Sequence, residues 1–412
     1  MIKRTLLFVF AAMQIHCTAQ NILKQIIKTD SFYTKYKDVF LHPEKYHLQI
    51  IYTQINRDKD NVPHLKKYFL EPPSKNYFYP ASLVKLPFSA LALEKIDRLN
   101  ISDLTKDSRL LIDSLHRCQT KEYVDTTAES GYPSIAQYLK KMLLVSNNKA
   151  CNRIYEFLSP DYINKRLHEM GYQNILINQR LGGGCDTNDN RFTNPFVFLR
   201  NDSSVIYKQA ADTDNAAIAN CALCTKIGRG FKEDGRIRPP RNFCDNNYIP
   251  FEDENNILLS IIFPECINPS LQFHITESDY QFLYKYMSML PRESDYPHYD
   301  EKVYKDNFKK YIYFGTTDSI KDSTVRSFNI VGRAYGFLAD CAYIVDPDTH
   351  TEFCLSVLIY ANEKNILNTG KYQYDSLALP FMADLGHLIF NYEQKRTKKH
   401  IAYLNAWRFH YP

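Results

Sequence analysis

The chain has 412 residues, 44% of them hydrophobic, so it can bury a large core. Lysine and arginine total 51 against 46 acids, and a net charge of +5 over this length does not suggest a nucleic-acid binder, which needs a concentrated basic face. Aromatic residues reach 14%, with 31 tyrosines, which argues against a disordered chain.

Lys3 and Arg4 precede a short apolar run at residues 6–13, and Cys17-Thr18-Ala19 offers small residues for cleavage before Gln20. This is the pattern of an export signal. The run is too short to cross a bilayer, which takes about 20 apolar residues. Gln14-Ile15-His16 form a poor lipobox, which favours cleavage over a lipid anchor at Cys17. The expectation is a signal peptide at 1–19 and a periplasmic or extracellular mature protein without a transmembrane segment. Ten cysteines less Cys17 leave an odd number, so at least one thiol stays free or pairs between chains. Cys221 and Cys224 form a lone C-x-x-C without a second ligand pair, and read as buried small residues or one disulfide.

In chain order, residues 46–56 alternate in part and predict a strand. Residues 82–97 predict a helix opened by Ser82, with Pro80 just before it. Residues 134–144 predict a second helix, and a third begins at 149–157. Residues 182–194, rich in Gly, Asp and Asn, predict a loop. Residues 255–290 read as largely helical, broken at Pro264 and Pro269. Three strands follow at 328–331, 335–346 and 351–360, with turns at Pro347-Asp348 and at Gly332. Residues 376–394 predict a closing helix, whose basic end (Lys395, Arg396, Lys398, Lys399, His400) reads as solvated cations suited to the helix dipole. This order predicts an α/β (α+β) fold: an antiparallel sheet with helices on both faces and a helical lobe. The expected organisation is a single domain over 20–412 with an insertion in about 197–320.

The first chemical motif is Pro80-Ala81-Ser82-Leu83-Val84-Lys85. Serine and lysine three apart at a helix start lie on one face, one turn apart. A serine hydroxyl is a weak nucleophile until a base takes its proton, and a lysine of lowered pKa can do so. In isolation, S-x-x-K is more often an N-capping serine with a solvated lysine. What adds weight is Val145-Ser146-Asn147-Asn148 further along. Ser146 and Asn148 alone would read as capping residues.

With both motifs in order, residues 40–395 resemble the class A β-lactamase-related serine hydrolases, within the β-lactamase and penicillin-binding protein superfamily. Their set is S-x-x-K, S-D-N and K-T-G. Asn190 to Pro195 resembles the end of that family's omega-type loop, and Asn329 to Asp340 the strand of the third motif and the one after it. The arrangement also resembles exported serine hydrolases of the Bacteroidetes. The resemblance implies a β-lactamase/transpeptidase-like fold and a small-molecule or peptide substrate, such as a cell-wall-derived one. It implies that Ser82 attacks an amide or lactam carbonyl, Lys85 takes its proton, and Ser146 passes a proton to the leaving nitrogen. Asn148 would bind the substrate's amide. The N–H groups of Ser82 and Arg333, beside Gly332, would form the oxyanion hole.

Two departures stand out. Ile330 and Val331 replace the lysine and hydroxyl residue of K-T-G, removing contacts that typically contribute about 1.5–3 kcal/mol. Arg333 or Arg326 would have to supply a cation from another direction. Residues 180–195 hold no glutamate to activate a deacylating water, only Asp186 and Asp189, which read as Asx turns. Three functions follow: a serine hydrolase acting through a Ser82 acyl-enzyme; a β-lactamase with an unusual deacylation route; and a non-catalytic envelope binding protein that keeps the pocket. Nothing calls for a cofactor. The histidines, His298 and His400 among them, lack metal-ligand spacing, which argues against zinc. Gly182-Gly183-Gly184 precedes no lysine and is no phosphate-cradling loop.

Overall fold

The computed structural model describes residues 21–28, 31–70, 77–182, 184–214, 226–321 and 323–411. The expected export signal with Cys17, the Cys221/Cys224 pair and Gly183 lie outside the described residues. Three short helices, α1 (Ile22–Lys28), α2 (Ser31–Lys35) and α3 (Lys37–Leu41), lead into β1 (Gln49–Arg57) and β2 (Pro63–Phe69). Far along the chain come β8 (Arg326–Ala334), β9 (Phe337–Asp346) and β10 (Thr351–Tyr360). These strands form one antiparallel sheet in the order β2-β1-β10-β9-β8.

Every residue of β9 and β10 is buried, as expected of central strands covered on both faces. Side chains alternate between the faces. Leu338, Ala342 and Ile344 pack with α1–α3 and the closing helix, while Ala339, Cys341, Tyr343 and Val345 pack with the remaining helices. The closing helix, preceded by a π turn at Tyr374–Ala378, is Leu379–Lys395. The fold is thus the expected antiparallel sheet with helices on both faces. No helix among the described residues is long and apolar enough to cross a membrane.

Between β2 and β8, α4 (Lys85–Leu99) is buried nearly all round and forms the centre of the helical side. It follows a single 3-10 turn, Ala81–Val84. The strand β3 (Arg109–Ile112) leads to α5 (Ile135–Val145), capped by Ser134, whose Oγ accepts from Gln137 N. Then come α6 (Asn148–Leu158) and α7 (Pro160–Met170). The expected insertion region holds β4 (Phe196–Leu199) and β5 (Val205–Gln209), which extend β3 into a small sheet. It also holds the hairpin β6 (Gly230–Glu233) and β7 (Arg236–Arg238), and the helices α8 (Phe251–Ile262) and α9 (Glu277–Ser288). Two 3-10 turns beginning at Pro264 and Pro269 separate α8 from α9.

Some boundaries differ from the sequence expectation. Ser82 does not open an α-helix; it lies in the 3-10 turn, and α4 begins at Lys85. Gly332 is not a turn but an interior position of β8, paired with Ala339; the β8–β9 turn is Tyr335-Gly336, both at positive φ. The basic tail is not wholly solvated, because Arg396 bonds Glu393 and the Ile55 carbonyl.

Gly332 is glycine for a packing reason. β8 is an edge strand that runs against the Ser82 turn, and a Cβ at Gly332 would meet the Pro80 carbonyl oxygen at 2.5 Å and Leu83 Cγ at 3.0 Å. Backbone cannot retreat cheaply, so Gly332→Ala should push β8 off the turn. The expected cost is about 1–3 kcal/mol, typical of overpacking, read by denaturant unfolding. A stability unchanged from wild type would show that the two segments do not touch.

Candidate active site

Ala81 precedes Ser82 at φ +50, a left-handed conformation costly for a residue with a Cβ. The bend it makes sets Ser82, half-buried, at the edge of a cleft of about 550 Å³. Lys85 lies one turn on, fully buried. Its Nζ is 2.8 Å from Ser82 Oγ, 2.9 Å from Ser146 Oγ, 2.5 Å from Ser146 O and 2.7 Å from Asn148 Oδ1.

The reason Ser146 arrives there is local. α5 ends on Ser146 in the left-handed region, at φ +57, and Asn147 restarts the chain as the N-cap of α6, its Oδ1 accepting from Ala150 N. The capping duty expected of this segment falls on Asn147, while the side chains of Ser146 and Asn148 turn to Lys85.

Burial pushes the Lys85 amine down to about 8. Its neighbour beneath, Cys151, is buried and its thiol is pushed up to about 12, so it offers no anion to restore the charge. At pH 7 about one molecule in ten therefore carries a neutral amine, two or three powers of ten more than a solvated lysine would. The amine is within the reach a general base requires.

β8 forms the facing wall. Gly332 packs on the Ser82 turn, and Arg333 is exposed and lines the cleft with its guanidinium over the Tyr374 ring. Ile330 is fully buried among the helical-side core, and Val331 lines the cleft as an alkyl group. Of the two arginines considered for the missing cation, Arg326 is ion-paired with Glu293 and lies over Tyr411. Only Arg333 reaches the cleft.

Residues 180–195 are occupied with structure. Arg117 binds Asp189 through Nε and Nη2, both at 2.8 Å, and Asp186 at 2.5 Å. The two carboxylates also accept from each other's backbone N–H. The Arg117 guanidinium holds Asp189 below the ordinary aspartate range. A Cys118–Cys185 disulfide staples the loop, and Asn152 bonds the Leu181 backbone in both directions. Neither aspartate lines the cleft.

Sequence reasoning missed the segment that closes the cleft from the other side: Lys305, Asn307, Phe308, Lys309 and Tyr311 line it. Its backbone is anchored by Asp340, whose Oδ2 accepts from Tyr311 N and Ile312 N, and by Asn329, which donates to Lys309 O. The Lys309-Lys310 doublet looks like a solvated pair in the sequence, yet both side chains are buried on carbonyl oxygens. The described residues contain no cluster of side chains suited to a metal ion.

Residues 66–212 match the model of the beta-lactamase enzyme family. That segment contains Ser82, Lys85, Ser146, Asn148 and the disulfide-stapled loop, but not β8. Similar solved structures include the TLA-1 extended-spectrum β-lactamase, at 13% identity over 89% of this chain and 99% of that one, with a TM-score of 0.47. Others are β-lactamases from Sphaerobacter thermophilus (9% identity, 90% and 99% covered, TM-score 0.48) and Chitinophaga pinensis (10% identity, 88% and 99%, TM-score 0.45). No curated protein matches the chain by sequence.

If the loop carboxylates hold the loop rather than activate water, Asp189→Asn should weaken the Arg117 clamp and lower the melting temperature. The rate at which Ser82 reacts with an acylating probe should stay within about twofold, against the 10²–10⁴ lost with a general base. A loss of that larger size would place Asp189 in the chemistry.

Proposed function

We propose that this chain is a serine hydrolase of the β-lactamase and penicillin-binding class, acting on an amide, lactam or peptide substrate through an acyl-enzyme on Ser82. The observation that carries this reading is the buried Lys85 amine 2.8 Å from Ser82 Oγ and 2.9 Å from Ser146 Oγ. In the proposed cycle neutral Lys85 takes the Ser82 proton as Oγ bonds to the acyl carbon. The carbon–nitrogen bond then breaks, and the proton passes from Lys85 through Ser146 to the leaving nitrogen. Asn148 binds the substrate amide, and N–H groups of Ser82 and Arg333 hold the oxyanion. The family match over residues 66–212 supports the same assignment.

An exported location, periplasmic or extracellular, is part of the proposal. It rests on the charged and apolar N-terminus and on the Cys118–Cys185 disulfide, a bond typical of oxidising compartments. The second reading, a non-catalytic or substrate-shifted envelope binding protein, is favoured by Ile330 and Val331, an alkyl pair where the resemblance calls for a lysine and a hydroxyl.

Acylation has its groups in place, whereas the two aspartates of the 180–195 loop, where the family places its water-activating carboxylate, are committed to Arg117. Intact-mass measurement after incubation with penicillin should therefore show a lasting adduct that is absent in Ser82→Ala. Fast multiple turnover that disappears in Ser82→Ala would contradict the slow-deacylation account, and an unmodified wild-type chain would favour the binding protein.

A further inference from the structure

Lys309 is an unusual side chain for its position. It is only 1% exposed, yet it lines the same cleft as Ser82, Ser146 and Asn148. Its Nζ donates to Leu143 O, on the last turn of α5 before Ser146, and lies 3.4 Å from Asn329 O, just before Ile330 on β8. It therefore bridges the two walls of the site. Among the described residues no carboxylate lies within ion-pair distance of it. The acid whose charge acts on it, Asp340, already accepts from two backbone amides and Asn329. An ammonium needs opposite charge when it leaves water, and carbonyl dipoles alone replace its hydration poorly.

Resting on the hydrolase reading, we infer that Lys309, from a segment outside all three motifs, is the cation of the substrate cleft. It takes an anionic group of an acyl substrate, a carboxylate, in a subsite that fills only with Lys309 protonated. Binding an anion there would satisfy a buried charge that the fold leaves without a partner.

The groups around it decide the pH behaviour. Lys85 from α4 and Lys310 beside it on the chain are like charges; Asp340 from β9 is the opposite charge that acts on it. Arg333 on β8, exposed Lys305, and exposed Asp318 and Asp375 stand around the same cleft. Burial, with the Lys85 charge adding to it and Asp340 opposing it, brings Lys309 down to about 7. Below that value Lys309 is already protonated and an anion binds without taking up a proton. Above it each binding event must bring one proton, so affinity should fall about tenfold per pH unit. A guanidinium does not titrate in this pH range, so an anion held by an arginine instead of Lys309 would bind independently of pH.

The test uses N-acetylglycine, with its methyl ester as the uncharged control, and reads ligand-induced melting shifts of the full chain. The shift needs no chemistry at Ser82. The acid should stabilise the wild type at about pH 6, with the effect falling by about pH 8.5, and the ester should do nothing at either. Lys309→Met should remove the response, while Lys309→Arg should keep it and flatten its pH dependence. Equal shifts from acid and ester, a response flat between the two pH values, no response at either pH, or one that survives in Lys309→Met would overturn the subsite. The first three comparisons use the wild type alone and hold even if a variant fails to fold. The hydrolase reading fails separately, when penicillin leaves Ser82 unmodified while the acid still binds.

Discussion

A lysine amine cut off from water is the constraint on which the rest of this site is arranged. Lys85 is fully buried, and everything its Nζ touches is neutral: two hydroxyls, a carbonyl and a side-chain amide. A carboxylate in that shell would hold the ammonium charged and useless as a base. Burial lowers the amine toward the working range, and a shell of neutral hydrogen-bond partners orients it on Ser82. The strained Ala81 and the left-handed Ser146 bring that shell within reach, and the missing side chain of Gly332 lets β8 close against the Ser82 turn.

The same logic extends outward. Buried ionic groups around the site are either paired, like Asp189 on Arg117, or held on dipoles, like Lys309 and Lys310 on backbone carbonyls. Asp340 and Asn329 are fully buried and do not line the cleft, but they tie the 309–312 backbone to β8 and β9. The site is thus held by the sheet edge as much as by the helices that bear its motifs.

What was legible in the sequence was what is local. Ser82 and Lys85 are one turn apart, and the order of strand, helices, three strands and helix implied the sheet and its two covered faces. The edge strand β2 was missed because Lys66 and Lys67 break its alternation, as charges on edge strands do. The roles of the loop aspartates and of Lys309 rest on partners 72 and 166 residues away. No spacing rule reaches across such separations. A lysine doublet on the surface and one buried on carbonyls are written with the same letters.

The measurement that bears most directly on the central claim is the pH dependence of the rate at which an acylating probe modifies Ser82. The Lys85 amine must be neutral to act, so the rate should climb about tenfold per pH unit at low pH and level off above about 8. Lys85→Met should lower it and erase the inflection. A rate that stays flat with pH, or that keeps rising toward the 10.5 of a solvated lysine, would mean that Lys85 is not the buried base described here.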